Sequence, residues 1–329
     1  MGRVAVRVRR LRLANRNGRA APAARPHREE SDMRPRLAGF AAAAFAAAAT
    51  ALVVSPTASA DDLVTHHEFQ ANCTVSHTAQ DDPIVYPGQP GASHHHTFIG
   101  NTETDAYSTP ESLQQGDTTC LVPADRSAYW FPTLYDGDEP VLTDWHLVVY
   151  YKSGVEDYTT VQPFPQGLRF VAGDMMASPQ EFEDAPGSVE GFECGESFHN
   201  YTFPAWCTDW LNIRYQSPSC WDGVNLDSPD HKAHMAYPVS GSCPSSHPVP
   251  VPMIEFKIHW PVEGDMSQVR LASGQASSWH YDFFNAWEPE TLAAMVEHCI
   301  NGGLQCDSRG FDLYKPDRGA VLDEDYVLI

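Results

Sequence analysis

The sequence predicts a mainly β protein, a single β-sandwich or jelly-roll-like domain with long disulfide-clipped loops and one C-terminal helix. Three observations carry this expectation. Short runs of β-branched and aromatic residues recur, and the plainest is Ile254 to Trp260, where Ile254, Phe256, Ile258 and Trp260 alternate with Glu255, Lys257 and His259. The 26 prolines and 22 glycines punctuate such runs and keep strands short and connections long. Only one stretch has helical spacing, and no blade-length period argues for a propeller.

Residues 1–60 read as a leader and secretory signal peptide. From Met33 the chain has arginines at 34 and 36, an apolar run from Leu37 to Val54, and the small-x-small pattern Ala58-Ser59-Ala60. The Arg-rich stretch before Met33 is too long for an ordinary positive flank, so Met33 is expected to be the true start. Residues 61–329 then form one secreted domain, extracellular and free of the membrane after cleavage. Eleven of the 21 Lys+Arg and three of the 43 Asp+Glu precede residue 37, which leaves ten against forty, a net of −30. Such a surface repels polyanions and excludes nucleic acid and anionic membrane as partners.

All eight cysteines (73, 120, 194, 207, 220, 243, 299, 306) follow the leader, an even number as an exported chain requires for disulfides. No Cys-x-x-Cys pair suggests a zinc ribbon or a thioredoxin-like site. Four bridges allow about a hundred pairings, and spacing alone does not choose among them. Pairing of neighbours (73–120, 194–207, 220–243, 299–306) is the expectation adopted.

In chain order, Asp61 to Gly91 is polar and is expected to wrap the outside of the domain. In GASHHHTFIGN (91–101), an extended backbone puts His94 and His96 on one face and His95 on the other. The aromatic run AYWFPTL (128–134) contains Pro132, which predicts an edge strand. Trp145 to Tyr151 and Leu168 to Ala172 read as strands, whereas Gly173 to Pro218 reads as irregular. In Pro289 to Ile300, Leu292, Met295, Val296, Cys299 and Ile300 recur at helical spacing, and Pro289 suits the first turn. Gly302-Gly303 can end that helix, and the tail beyond Asp307 is polar.

The densest polar stretch is CWDGVNLDSPDHKAHMAYP (220–238), read as a loop holding Asp222, Asn225, Asp227, Asp230, His231 and His234. In SSWHYDFFNAW, His280 and Asp282 point the same way if extended, so the carboxylate can orient the imidazole or join it as a ligand. Two chemistries fit. In the first, His96, Asp230, His234, His280 and Asp282 supply general acid and base for a glycan, with Asp222 an alternative carboxylate. In the second, His94, His96, His231 and His234, with His280 as a further ligand, hold a divalent metal, zinc or copper; Asp222, Asn225 and Asp227 are turn residues or a calcium cage. Trp130, Trp206, Trp221 and Trp287 are core residues or sugar platforms. No Gly-x-Ser-x-Gly, His-Glu-x-x-His or phosphate loop is present. Asn72-Cys-Thr and Asn200-Tyr-Thr are glycosylation sequons in a eukaryotic host.

Five motifs in one order, HHHTFIGN (94–101), TDAYSTPESL (104–113), PFPQGLRFVAGD (163–174), the 220–238 stretch and HYDFFNAW (280–287), resemble the secreted family catalogued as domain of unknown function nineteen ninety-six, over roughly His94 to Ile300. His94 and His96 match that family's His-x-His, and His95 is incidental. The resemblance implies an exported protein of the kind found beside carbohydrate-binding or cell-wall modules, with extracellular polysaccharide as the expected partner. It carries over no agreed catalytic residues.

Overall fold

Alternating apolar residues build two mainly antiparallel sheets whose inner faces meet. The computed structural model describes residues 66–143 and 147–329, all within one compact unit. The expected leader and residues Trp145 and His146 of one expected strand lie outside the described residues. In chain order the principal strands are β1 (Glu68–Asn72), β2 (Val75–Ala79), β3 (His96–Gly100), β4 (Ala128–Pro132), β5 (Val148–Lys152) and β6 (Arg169–Gly173), then β7 (Gly191–Cys194), β8 (Ser197–Asn200), β9 (Leu211–Gln216), β10 (Met253–Trp260), β11 (His280–Phe284) and β12 (Gln305–Cys306).

One sheet has seven strands in the order β8-β7-β9-β10-β5-β1-β12, the other five in the order β2-β3-β4-β11-β6. Every pairing is antiparallel except that of β1 with β12. Tyr129 and Phe131 of β4 and Tyr281 and Phe283 of β11 point inward and meet Phe256 and Trp260 of β10 and Tyr151 of β5 through edge-on and tilted ring contacts. The mainly β prediction is therefore met by two sheets in face-to-face packing.

Period two explains the inner face of β10, where Ile254, Phe256, Ile258 and Trp260 are all buried. On its outer face Glu255 is also buried, because Lys152 Nζ (2.9 Å) and Arg214 Nε (3.0 Å) reach it from β5 and β9. The helix Pro289–Met295 continues as a wider turn over Val296–Ile300, and Leu292, Met295, Val296, Cys299 and Ile300 face the core. All four disulfides join neighbours in sequence as expected: Cys73–Cys120, Cys194–Cys207, Cys220–Cys243 and Cys299–Cys306.

Three local expectations are corrected. The run Ala128–Pro132 is the central strand of the smaller sheet; Pro132 is tolerated because it is the last residue, paired with His96 at the end of the ladder. The polar segment before Gly91 supplies β1 and β2, since Phe69 and Ala71 of β1 alternate into the core. The stretch from Gly173 to Pro218 holds a short helix (Pro179–Asp184) and four strands, β7, β8, β9 and the two-residue Trp206–Cys207, and Leu211, Ile213 and Tyr215 of β9 are a buried alternation inside it.

Candidate metal centre

The outer face of the five-stranded sheet carries the site. On β3 the inward residues are Thr97 and Ile99, so His96 and Phe98 project outward; on β11, Tyr281 and Phe283 point inward and His280 and Asp282 outward. Pairing places Asp282 between Trp130 and Val171, and His280 opposite Gly173. Gly173 has φ of 95°, and a Cβ there would fall 2.7 Å from Trp279 O and 2.8 Å from His280 Cα. Only glycine lets β6 approach His280 this closely.

Two further segments cover this face. Residues 81–95 return toward β3 and bring Asp82 and His94. Residues 222–235 lie along the free edge of β6: Arg169 N–H donates to Leu226 O and Val171 N–H to His231 O, each at 3.0 Å. Between them lies a cavity of about 140 Å³ lined by His94, His280, Asp282, Asp82, His231 and Lys232 among others.

Imidazoles 94, 96 and 280 converge. Their ring centroids are 4.2 Å (94–96), 5.1 Å (94–280) and 6.0 Å (96–280) apart, and one ligand atom from each lies within 4.8 Å of the others. Asp82, His96 and Asp282 form a second such group, with His96 common to both. His96 Nδ1–H donates to Asp81 O (3.0 Å) and His280 Nδ1–H to Ser278 O (2.9 Å), since a carbonyl only accepts. Each ring is thereby oriented by backbone and presents a bare Nε2, the arrangement in which metal-bound histidines are held.

Four buried polar atoms of this cluster have no partner: His94 Nε2, His96 Nε2 and both carboxyl oxygens of Asp282. Each such atom costs about 1–3 kcal/mol in a folded protein, and four in one place call for a ligand. Burial pushes His94 down to about 4 and His280 down to about 3, and holds His96 well below its ordinary value, so all three rings are neutral and ready to donate lone pairs. Burial, reinforced by the Asp82 carboxylate, drives Asp282 well above the usual carboxylate range; Asp82 itself is raised to about 6 by burial although it accepts from Ile84 and Val85 N–H. A cation among these groups removes the whole penalty at once.

Other expected site residues are placed differently. His234 is taken out of any acid–base or metal role: it is 1% exposed, with Nε2 2.9 Å from Arg169 O and Nδ1 2.9 Å from Ser228 Oγ, and it staples the loop to β6. Asp230 accepts from Ala233 N–H, Lys232 N–H and Ser228 Oγ–H, which lowers it to about 2 and makes it a loop anchor that stays ionised rather than a general acid. Asp222 closes a turn by accepting from Val224 and Asn225 N–H at Oδ1 and from Asn225 Nδ2–H at Oδ2, so both oxygens serve the turn. His280 is oriented by Ser278 O and not by Asp282. His231 lines the cavity but lies outside the three-imidazole group, its Nδ1 bonded to Asp227. His95 turns away and meets Tyr135 Oη. Trp130 and Trp287 are core residues, Trp221 donates to Asn225 O, and Trp206 is 65% exposed. Asp82 was absent from the sequence-based candidates; its position in DDPIVYPG carries no periodic signal, and only the fold brings it to His96.

No match to the chain is found among curated proteins or among solved structures. The family model described as "Domain of unknown function (DUF1996)" matches residues 82–287, which run from Asp82 at the start of the covering segment to Trp287 just after β11 and so enclose every residue of the cluster. More than half of the chain lies within that match, and the chain belongs to this family.

Proposed function

We propose that this chain is an exported protein with a divalent-metal centre held by His94, His96, His280 and Asp282, and that it acts on extracellular polysaccharide as a hydrolase or lyase. The observation that carries the reading is the convergence of His94, His96 and His280, each with a ligand atom within 4.8 Å of the others, and of an overlapping group through His96 that brings in the unpartnered carboxyl of Asp282. Three neutral imidazoles favour zinc or copper, whereas calcium prefers oxygen ligands, so calcium recedes. A bound ion would supply a Lewis acid that polarises a ligand oxygen. The protein's own part is to exclude bulk water by burial, to fix the His96 and His280 rings through Asp81 O and Ser278 O, and to offer the Asp282 carboxylate with Asp82 beside it.

A ligand larger than a few waters has a seat beside the centre. A second cavity of about 350 Å³, walled by Phe182, Tyr215, Met235 and Tyr237, shares Val171, Asp174 and Lys232 with the first. Aromatic walls with a polar rim suit a sugar ring. Export is supported by the leader pattern and by eight paired cysteines; among the described residues no helix is long and apolar enough to cross a membrane.

The test is metal analysis of protein purified without a histidine tag. One equivalent of zinc or copper is expected in the wild type and less than a tenth of that in His94→Ala or His280→Ala. His234→Ala should keep the metal while weakening the loop. Incubation of metal-loaded and stripped protein with wall polysaccharides then separates turnover from binding: new reducing ends mark hydrolysis, an unsaturated end marks a lyase, and retention without either leaves a non-catalytic binding module. Metal-free wild type after equilibration with both ions would sink the metal reading.

A further inference from the structure

We infer that His231, held by Asp227, is the proton-transfer residue of the metal cavity and not one of its ligands; this rests on the metal centre proposed above. Asp227 Oδ1 lies 2.8 Å from His231 Nδ1, and Asp227 Oδ2 accepts from Arg169 Nε at 2.9 Å. The carboxylate is therefore fixed from behind by a cation, Nδ1 carries the proton, and Nε2 is left with a bare lone pair. Among the described residues no protein group bonds that nitrogen.

His231 stands beside the place where chemistry can occur. His231 lines the same cavity of about 140 Å³ as His94, His280 and Asp282. His231 also adopts a left-handed backbone, φ 58°, which is unfavourable for a residue with a Cβ. Its own carbonyl, bonded to Val171 N–H, holds it there. Strain of this kind persists where surrounding structure requires a particular side-chain placement.

The step is a simple proton transfer. Nε2 takes the proton of a water or ligand hydroxyl in the cavity; the O–H bond breaks, its electron pair stays on oxygen, and an N–H bond forms. Asp227 stabilises the imidazolium, which returns the proton to a leaving oxygen. The charged groups facing this ring are Asp227 and Arg169 behind it and Asp82, Asp174, Asp230 and Lys232 around the cavity.

Cobalt(II) gives the test, because its visible bands report ionisation of the water on the ion whatever the natural substrate is. Wild-type protein is expected to bind one cobalt, with a spectral midpoint on pH titration. His231→Gln should keep the cobalt and move that midpoint upward by about one pH unit or more, and Asp227→Asn should move it the same way. If Asp227→Asn loosens the loop by losing Arg169, His231→Gln decides alone, since it leaves that pair intact. Loss of cobalt from His231→Gln makes this residue a ligand and overturns the inference, as does an unmoved midpoint. Failure of the wild type to bind cobalt removes the metal centre itself, and this inference with it.

Discussion

Asp282 puts a carboxyl between Trp130 and Val171 on a covered sheet face where no N–H or O–H meets it. In metal-free protein, Asp282→Leu is expected to leave stability unchanged or to raise it by about 1 kcal/mol, because an apolar side chain removes a buried group without partners. The same variant should lose the rise in Tm that zinc gives the wild type, and calorimetry with and without zinc measures both effects. Asp125 is the contrasting acid, 0% exposed but satisfied by Tyr129 Oη–H (2.7 Å) and Ser127 N–H (3.1 Å). Burial raises it from 3.8 to about 7, so the folded state prefers it protonated. Its stabilisation is fully present below about pH 4 and is lost as pH rises through 7, a change of up to roughly 4 kcal/mol. Denaturant titrations between pH 4 and 8 should show that slope, and Asp125→Asn should flatten it. At this scale the sequence was informative about residue type and silent about pairing. His94, His96, His280 and Asp282 were legible because period two puts alternate residues on one face. His234 misled because a histidine in a polar loop looks the same whether its nitrogens meet a ligand or a backbone carbonyl.

Strand β6 shows what can be read from an element and what cannot. Its apolar residues announce a strand, but nothing in LRFVAG says that its open edge will receive Leu226 and His231 of a distant loop. An edge left bare would invite pairing with another chain, and here a loop of the same chain covers it. Gly173 closes the strand against His280, and Gly173→Ala is expected to cost about 2 kcal/mol or more through positive φ and the contact with Trp279 O. The displaced His280 should also weaken zinc binding by about tenfold, which a competition assay with a chromophoric chelator reads directly. Pairing order was likewise hidden. β4 looked like an edge because of Pro132, and only the register, with Pro132 at the last rung opposite His96, explains its central place. β9 went unseen because Asn212 and Arg214 dilute its apolar content, though Leu211, Ile213 and Tyr215 keep strict alternation.

Over the whole molecule the mainly β class was legible because it depends on composition and short-range period, which survive without knowledge of partners. The cluster was legible only in part: His94, His96 and His280 stood together as candidate ligands, whereas Asp82 comes from a covering segment without periodic signal and only the fold brings it to His96 and Asp282. The four disulfides belong to this scale as well. Their partners are 47, 13, 23 and 7 residues apart, and each pair closes before the next begins. As the chain emerges N-terminus first, each bridge can therefore be completed as soon as its second thiol appears, with no earlier cysteine still waiting to compete for it. Oxidative refolding of the reduced, denatured chain is expected to reach the native pairing with little gain from added isomerase, and mass mapping of trapped intermediates should find the sequential bonds between neighbouring cysteines ahead of any crossed ones. A maturation route so free of reshuffling suits the export proposed above, since it makes little demand on folding catalysts.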